Sequence, residues 1–327
     1  NVFAGSLFVI SIGYLYTIVG SLNMAYISQT ISSMSDRRGL YLVGAVMIFV
    51  FCMKGALFPL FTWMNRSYVA PPIAVSIIFG ALLTKVGLYS IIRTYGLFYY
   101  ESNFIKSYLL ILGAISIIAG CIGAIYQKDL KQIVVFNIVI SLGVMVCGTA
   151  TLNTFGVKGA LFYAVNDILL KAALFIIVGL IIYVSGVKYI QKCGLINKYP
   201  LLGWTYFIVV LSLSGVPPFS GFYGKALIIK GLVANNNTFI AILVALSGLV
   251  VFYSLIKIFL NVFYDNINKS LILKPLPKGV QIPLIAIVAI ALIIGVSSNL
   301  LDGVFDKGIQ MVLNPQHYID LVLKKGA

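Results

Sequence analysis

The sequence predicts an all-α polytopic membrane protein, and three observations carry that prediction: composition, the length of the apolar runs, and the interruption of two of them. Of 327 residues, 61% are hydrophobic and only 9% charged, with a mean hydropathy of +1.06. A soluble domain carries about a quarter charged residues. No soluble core could hide so much apolar surface, so the solvent must be lipid. The runs are too long and continuous for the alternating strands of a β-barrel. In lipid, an open segment satisfies its own backbone only as a helix.

About nine spans follow in order, near 2–20, 40–64, 71–95, 107–126, 131–152, 157–185, 203–233, 237–263 and 280–300. Residues 1–300 therefore form the transmembrane region, and 301–327 read as a polar carboxy-terminal tail. The chain starts at Asn1 and is apolar from Val2 onward, without the basic start and cleavage site of a signal peptide. It is expected to be the carboxy-terminal part of a longer membrane protein. Loops after the second, fourth, sixth and eighth spans are richer in Lys and Arg (Arg66, Lys128, Lys131, Lys188 and Lys269 among them) than the others. That bias puts them on the cytoplasmic side.

The second span is interrupted at Pro59, in KGALFPLF, and the seventh at Pro217 and Pro218, in SGVPPFSGFYGK. Proline removes a helical hydrogen bond and clashes with the preceding turn. Broken helices at corresponding places in two halves point to a transport site. A short internal echo agrees: YSIIR at 89–93 follows the first break and YSLIK at 253–257 the second.

The net charge of +15, from 23 basic and 8 acidic residues, is scattered singly between apolar runs and forms no basic helix face. Nucleic-acid binding is excluded on that ground. Cys52, Cys121, Cys147 and Cys193 have no metal or redox spacing, and His317 stands alone beyond the last apolar run. No metal site, cofactor or disulfide framework is expected.

Four lysines fall well inside apolar spans: Lys54, Lys85, Lys171 and Lys225. A charged lysine at the bilayer centre costs about 2.5–3.5 kcal/mol on insertion scales. One could be explained by snorkelling of its long stem to the interface, most readily Lys225; four together resist that account. Because desolvation disfavours the ammonium form, a buried lysine can hold or release a proton according to its counter-charge, as a proton relay requires. Acids are scarce. Asp36, Glu101, Asp129 and Asp265 lie between spans, Asp302, Asp306 and Asp320 lie in the tail, and only Asp167 is well inside a span. It stands four residues before Lys171, on the same helix face. It either makes the burial of Lys171 tolerable or tunes its protonation, or does both. Thr84 beside Lys85 fits either helix packing or a wet path.

The segments KGALFPLFTW, YVAPPIAVSIIFGALLTKVGLYSIIRTYGLF, FYAVNDILLKAALFIIVG and KYPLLGWTYFIVVLSLSGVPPFSGFYGK resemble the D subunits of the Mrp (Mnh) multisubunit sodium/proton antiporters. These belong with the antiporter-like membrane subunits of respiratory complex I. FYGK and LLTKVGLY favour the D subunits over their relatives. The resemblance implies a fold of fourteen helices, with two inverted repeats of five and a broken helix in each, of which the spans above are the sixth to fourteenth. It implies that Lys54 is the lysine of the first broken helix, Lys85 the connecting lysine, Lys171 the lysine after the acidic position, and Lys225 the terminal lysine of a hydrated chain across the membrane.

Two departures stand out. The glutamate that the family pairs with the first broken-helix lysine lies on an earlier helix outside this sequence, so the chain alone is not expected to transport. Relatives often carry histidine next to the acidic position, where this sequence has Asn166.

The function so implied is that of a subunit of a cation/proton antiporter in the bacterial cytoplasmic membrane. It would exchange cytoplasmic Na+ for external H+ together with other subunits of the complex, without covalent chemistry. The alternative is a proton-pumping membrane subunit of an NADH:quinone oxidoreductase, which shares broken helices and buried lysines. A scaffold without its own proton path would tolerate neutralisation of all four lysines.

Overall fold

The computed structural model describes residues 2–34, 37–264 and 273–323, so Asp36, Asp265, Lys269, Lys324 and Lys325 lie outside the described residues. Its regular elements are helices. In chain order they are α1 (Val2–Val19), α2 (Met24–Ser33), α3 (Arg38–Lys54), α4 (Thr62–Ser67), α5 (Ile73–Ile78), α6 (Thr84–Phe98), α7 (Asn103–Tyr126), α8 (Leu130–Ala150), α9 (Thr154–Ser185), α10 (Pro200–Ser214), α11 (Ser220–Ala234), α12 (Thr238–Ile258), α13 (Lys278–Val296), α14 (Ser298–Leu313) and α15 (Pro315–Leu323). A π-helical stretch, Phe79–Leu83, joins α5 to α6, and another, Phe259–Tyr264, extends α12.

Among the described residues seven helices are long and apolar enough to cross a membrane. The expected nine is not reached by uninterrupted helices, because the two proline-broken spans are divided: α3 stops at Lys54, and α10 and α11 are separate short helices.

Polar residues at the span ends start and stop the helices. Asp129 accepts from the Lys131 and Gln132 amides at the start of α8, and Asn153 from the Gly156 amide at the start of α9. Pro200 opens α10, where its missing N–H costs nothing. Gly186, at φ 73°, closes α9 in the left-handed conformation that glycine adopts without strain. At the centre is α8, every residue of which from Ile133 to Ala150 is buried, between α7 and α9. On its other side α9 packs on α11 so closely that a Cβ on Gly159 would come within 2.8 Å of the Gly224 carbonyl oxygen. That approach brings α11 and its Lys225 against the polar face of α9.

Both breaks close with side chains supplying what the backbone lost, as burial in lipid requires. At the first, residues 55–61 leave the helix. There the Phe58 amide donates to Ser116 Oγ at 2.9 Å, and the Trp63 indole donates across the gap to the Met53 carbonyl at 3.1 Å. At the second, Gly215 turns the chain at φ 84°, and Pro217 and Pro218 carry it to α11. The echoed segments YSIIR and YSLIK lie on α6 and α12, each separated from its break by at least one intervening helix.

Beyond residue 300, a polar tail on sequence grounds, the described residues form helices α14 and α15, which carry contacts to the bundle. Asp306 of α14 pairs with Lys158 at 2.9 Å, and Phe305 meets Phe162 with ring centroids 5.7 Å apart. On α15, Tyr318 lies under the Arg93 guanidinium at 4.6 Å. α2 is the other element that hydropathy passes over; its helical start is marked by Asn23, which accepts from the Ala25 and Tyr26 amides.

Outside the spans, Arg37 pairs with Glu101 and holds its carboxyl below the usual carboxylate range, mainly through the hydrogen bond. A depressed folded-state pKa stabilises above the unfolded value, and the contribution is lost as pH falls through the folded value. Glu101 is half exposed, so Glu101→Gln is expected to cost less than about 1 kcal/mol at neutral pH. The gap between its thermal midpoint and that of the unsubstituted protein should shrink as pH is lowered below the ordinary glutamate range.

Candidate functional site

Three of the four lysines singled out by sequence are buried: Lys85 is 7% exposed, Lys171 1% and Lys225 6%, with Asp167 at 0%. They come from three helices that meet at the middle of the bundle. Lys54 differs. It is the last residue of α3, at the edge of the first break, and it is half-buried rather than enclosed. There its charge opposes the negative end of the α3 dipole. Pro59 lies in the break just after it.

The anion at the centre is Asp167. Sequence spacing pairs it with Lys171, one turn along α9. In the fold its ion-pair contact is with Lys85 of α6, whose Nζ lies 2.6 Å from Oδ2. Helix spacing reveals neighbours along one helix, whereas this contact depends on how the Phe79–Leu83 stretch, which leads into α6, packs against α9. The π-helical Phe79–Leu83 just before α6 contributes, since Lys85 Nζ also reaches the Gly80 carbonyl at 3.4 Å. π-Helical turns often occur at functional sites. Ser141 of α8 donates to the same carboxylate oxygen at 3.2 Å. The other oxygen, Oδ1, is buried without a hydrogen-bond partner, as are Thr84 Oγ1 and Asn166 Nδ2. Burying a polar group without a partner costs about 1–3 kcal/mol. Two of these atoms belong to residues adjacent in sequence to the ion pair, and the third to the pair itself.

Lys171 continues the row on the same face of α9, within electrostatic reach of Asp167 and Lys85. The row then crosses to α11. Lys225 lies within reach of Lys171 and Asp167, and its ammonium sits 5.6 Å from the Tyr163 ring, in cation–π range. Tyr163, one turn before Asp167, has no signal in the sequence, because a tyrosine in an apolar run looks like any other.

The head of Lys225 turns back to the break. It donates to the carbonyls of Leu213 and Ser214, at 3.0 and 2.9 Å. These are terminal carbonyls of α10, left without intrahelical partners by the interruption, and they carry the negative end of its dipole. Pro217 and Pro218 thus have a chemical consequence: by ending α10 inside the bundle they expose acceptors for a buried cation.

Residues 1–250 match the family model described as NADH:quinone oxidoreductase/Mrp antiporter, transmembrane. Over 99% of its length the chain is 38% identical to the Na(+)/H(+) antiporter D subunit of Bacillus subtilis (strain 168), of which it spans 66%. Its fold resembles a chain in the Mrp complex from Dietzia sp. DQ12-45-1b, with a TM-score of 0.91 at 22% identity, covering 99% of this chain and 68% of that one. It also resembles a chain of respiratory complex I from Thermus thermophilus, with a TM-score of 0.84 at 21% identity, covering 97% of this chain and 67% of that one.

Proposed function

The chain belongs to the family of transmembrane subunits shared by NADH:quinone oxidoreductases and Mrp antiporters, and from that premise we propose that it is a multi-pass subunit of a cation/proton antiporter. In this reading it works in the bacterial cytoplasmic membrane with the other subunits of an Mrp complex and exchanges cytoplasmic Na+ for external H+. Protons pass along Lys54, Lys85, Asp167, Lys171 and Lys225, and no covalent bond is made or broken. The observation that carries the reading is the row Lys85–Asp167–Lys171–Lys225, buried between two helix breaks and ending on the carbonyls of the second. A structural bundle has no use for three enclosed ammonium groups around one carboxylate, given the cost of each in lipid. The oxidoreductase alternative is the weaker fit: the likeness to complex I, at 21% identity, extends to the fold alone, whereas identity to an antiporter D subunit reaches 38% over 99% of the chain.

The assay uses everted vesicles from an antiporter-deficient host expressing the complete complex with the full-length protein. Respiration sets a pH gradient, a fluorescent amine reports it, and Na+ is added. Lys54→Ala is expected to abolish Na+-driven collapse of the gradient with the complex assembled to the normal level. Normal exchange by that variant removes Lys54 from the path. Exchange that persists when an imposed ion gradient replaces NADH separates an antiporter from an oxidoreductase component.

A further inference from the structure

We infer that Ser212, Ser220 and Asn166 form a strut tying the second helix break to α9, and that this strut sets where Lys225 stands relative to Asp167. The consequence for transport rests on the function proposed above; the strut itself does not. Ser212 lies two residues before the end of α10 and Ser220 is the first residue of α11. Their hydroxyls are 3.0 Å apart, and Ser220 Oγ donates to Asn166 Oδ1 at 2.6 Å. All three side chains are fully buried. None gains or loses a proton near neutral pH, so the link is mechanical rather than a step in a relay.

Its two ends adjoin the groups that matter. Leu213 and Ser214, whose carbonyls receive the Lys225 ammonium, follow Ser212 directly, and Asp167 follows Asn166. The amides of the break bond within it, Gly215 to the Ser212 carbonyl, Val216 to Leu211 and Phe219 to Val216, and none of them reaches α9. Two of residues 215–219 are prolines with no amide to donate. Among the described residues, the bond from Ser220 is the single hydrogen bond to the Asn166 side chain, whose Nδ2 has no partner. From the far side, Gly295 of α13 rests on Ser220 so closely that a Cβ there would lie 2.6 Å from the Ser220 amide nitrogen. Ser220 is therefore held between α13 and Asn166, and the break moves as one piece with α9. A hydrogen bond weakens steeply with poor geometry, so a loosened break would withdraw the Leu213 and Ser214 carbonyls from Lys225. Asn166 is on this account a positioning residue, filling with a fixed amide a position adjacent to the central carboxylate.

The test is Ser220→Ala, which only removes an atom, in the complete complex. Hydrogen exchange followed by mass spectrometry over hours is expected to accelerate about fivefold to tenfold both at residues 213–220 and at residues 163–168 of α9. Exchange of Na+ for H+ in everted vesicles should fall by a similar factor at equal complex abundance. Adding Ser212→Ala should make neither readout worse, because both hydroxyls belong to one link. Acceleration confined to the break, with α9 unchanged, overturns the strut. Acceleration at both segments with full transport, in a complex where Lys225→Ala abolishes it, upholds the link but overturns the inference that it sets the position of Lys225. If Lys225→Ala itself transports normally, the proposed function fails, and the α9 protection alone decides the strut.

Discussion

Asp167→Asn is expected to abolish Na+-driven proton exchange and to destabilise the complex by about 3–5 kcal/mol, the range for leaving one partner of a buried ion pair uncompensated. The carboxylate is fully buried, 2.6 Å from Lys85, and is the one acidic group well inside a span. Loss of stability alone would not separate a structural pair from a functional one, since either role predicts it. The double replacement Lys85→Met with Asp167→Leu does separate them. Replacing both members of a buried pair with apolar residues of similar volume is often neutral or stabilising. The double variant should therefore recover thermal stability in detergent and assemble to the normal level, while exchange stays absent. Full exchange by the double variant would make the pair a structural accident of the bundle and would remove the centre of the proposed path. Normal stability of Asp167→Asn would contradict the ion pair itself.

The membrane class was legible because it rests on sums over many residues, and the breaks because proline acts locally. Lys85, Lys171, Lys225 and Asp167 were legible as exceptions: each is a charge where lipid-facing chemistry tolerates almost none. Their partners were not, because partnership depends on helix docking. Asp167 looks like the neighbour of Lys171 on a helical wheel, yet it contacts Lys85, a distant residue in the chain, once the stretch leading into α6 packs against α9. Ser141, Ser212 and Ser220 gave no signal at all; a serine in an apolar run reads as a small packing residue, and only the fold turns these hydroxyls toward Asp167 and Asn166. Lys54 erred in the other direction. Its depth among apolar residues implied enclosure, but the helix stops at Lys54 itself, before Pro59, and leaves it half-buried at a helix end. The amphipathic α14 and α15 fell below a hydropathy threshold built for spans, although Pro315 opening α15 is a local start signal.

Gly221→Ala sets two effects of opposite sign against each other at the second break. Helix propensity alone favours alanine over glycine by about 1 kcal/mol, and Gly221 is the second residue of α11. Packing opposes it: a Cβ at Gly221 would overlap the Ser212 carbonyl oxygen, a backbone atom that cannot swing aside. Overpacking in a tight interior typically costs about 1–3 kcal/mol, and a contact this close to rigid backbone belongs at or beyond the top of that range. The balance is therefore a net loss, expected as a thermal midpoint lowered by several degrees and as little assembled complex. Gly248→Ala on α12 should be milder in stability and more specific in effect. Its Cβ would meet the Ser214 carbonyl oxygen at 2.8 Å and lie 3.6 Å from Lys225 Nζ, so it presses on the bond between them. That variant should assemble yet exchange poorly. Gly5→Ala inside α1, whose Cβ would meet nothing within 4 Å, should exchange normally and melt at or slightly above the unsubstituted protein, since propensity there is unopposed. Should Gly221→Ala instead melt at or above the unsubstituted midpoint, propensity has outweighed packing, and the close seating of α11 on α10 that delivers Lys225 to its carbonyls is looser than these contacts require.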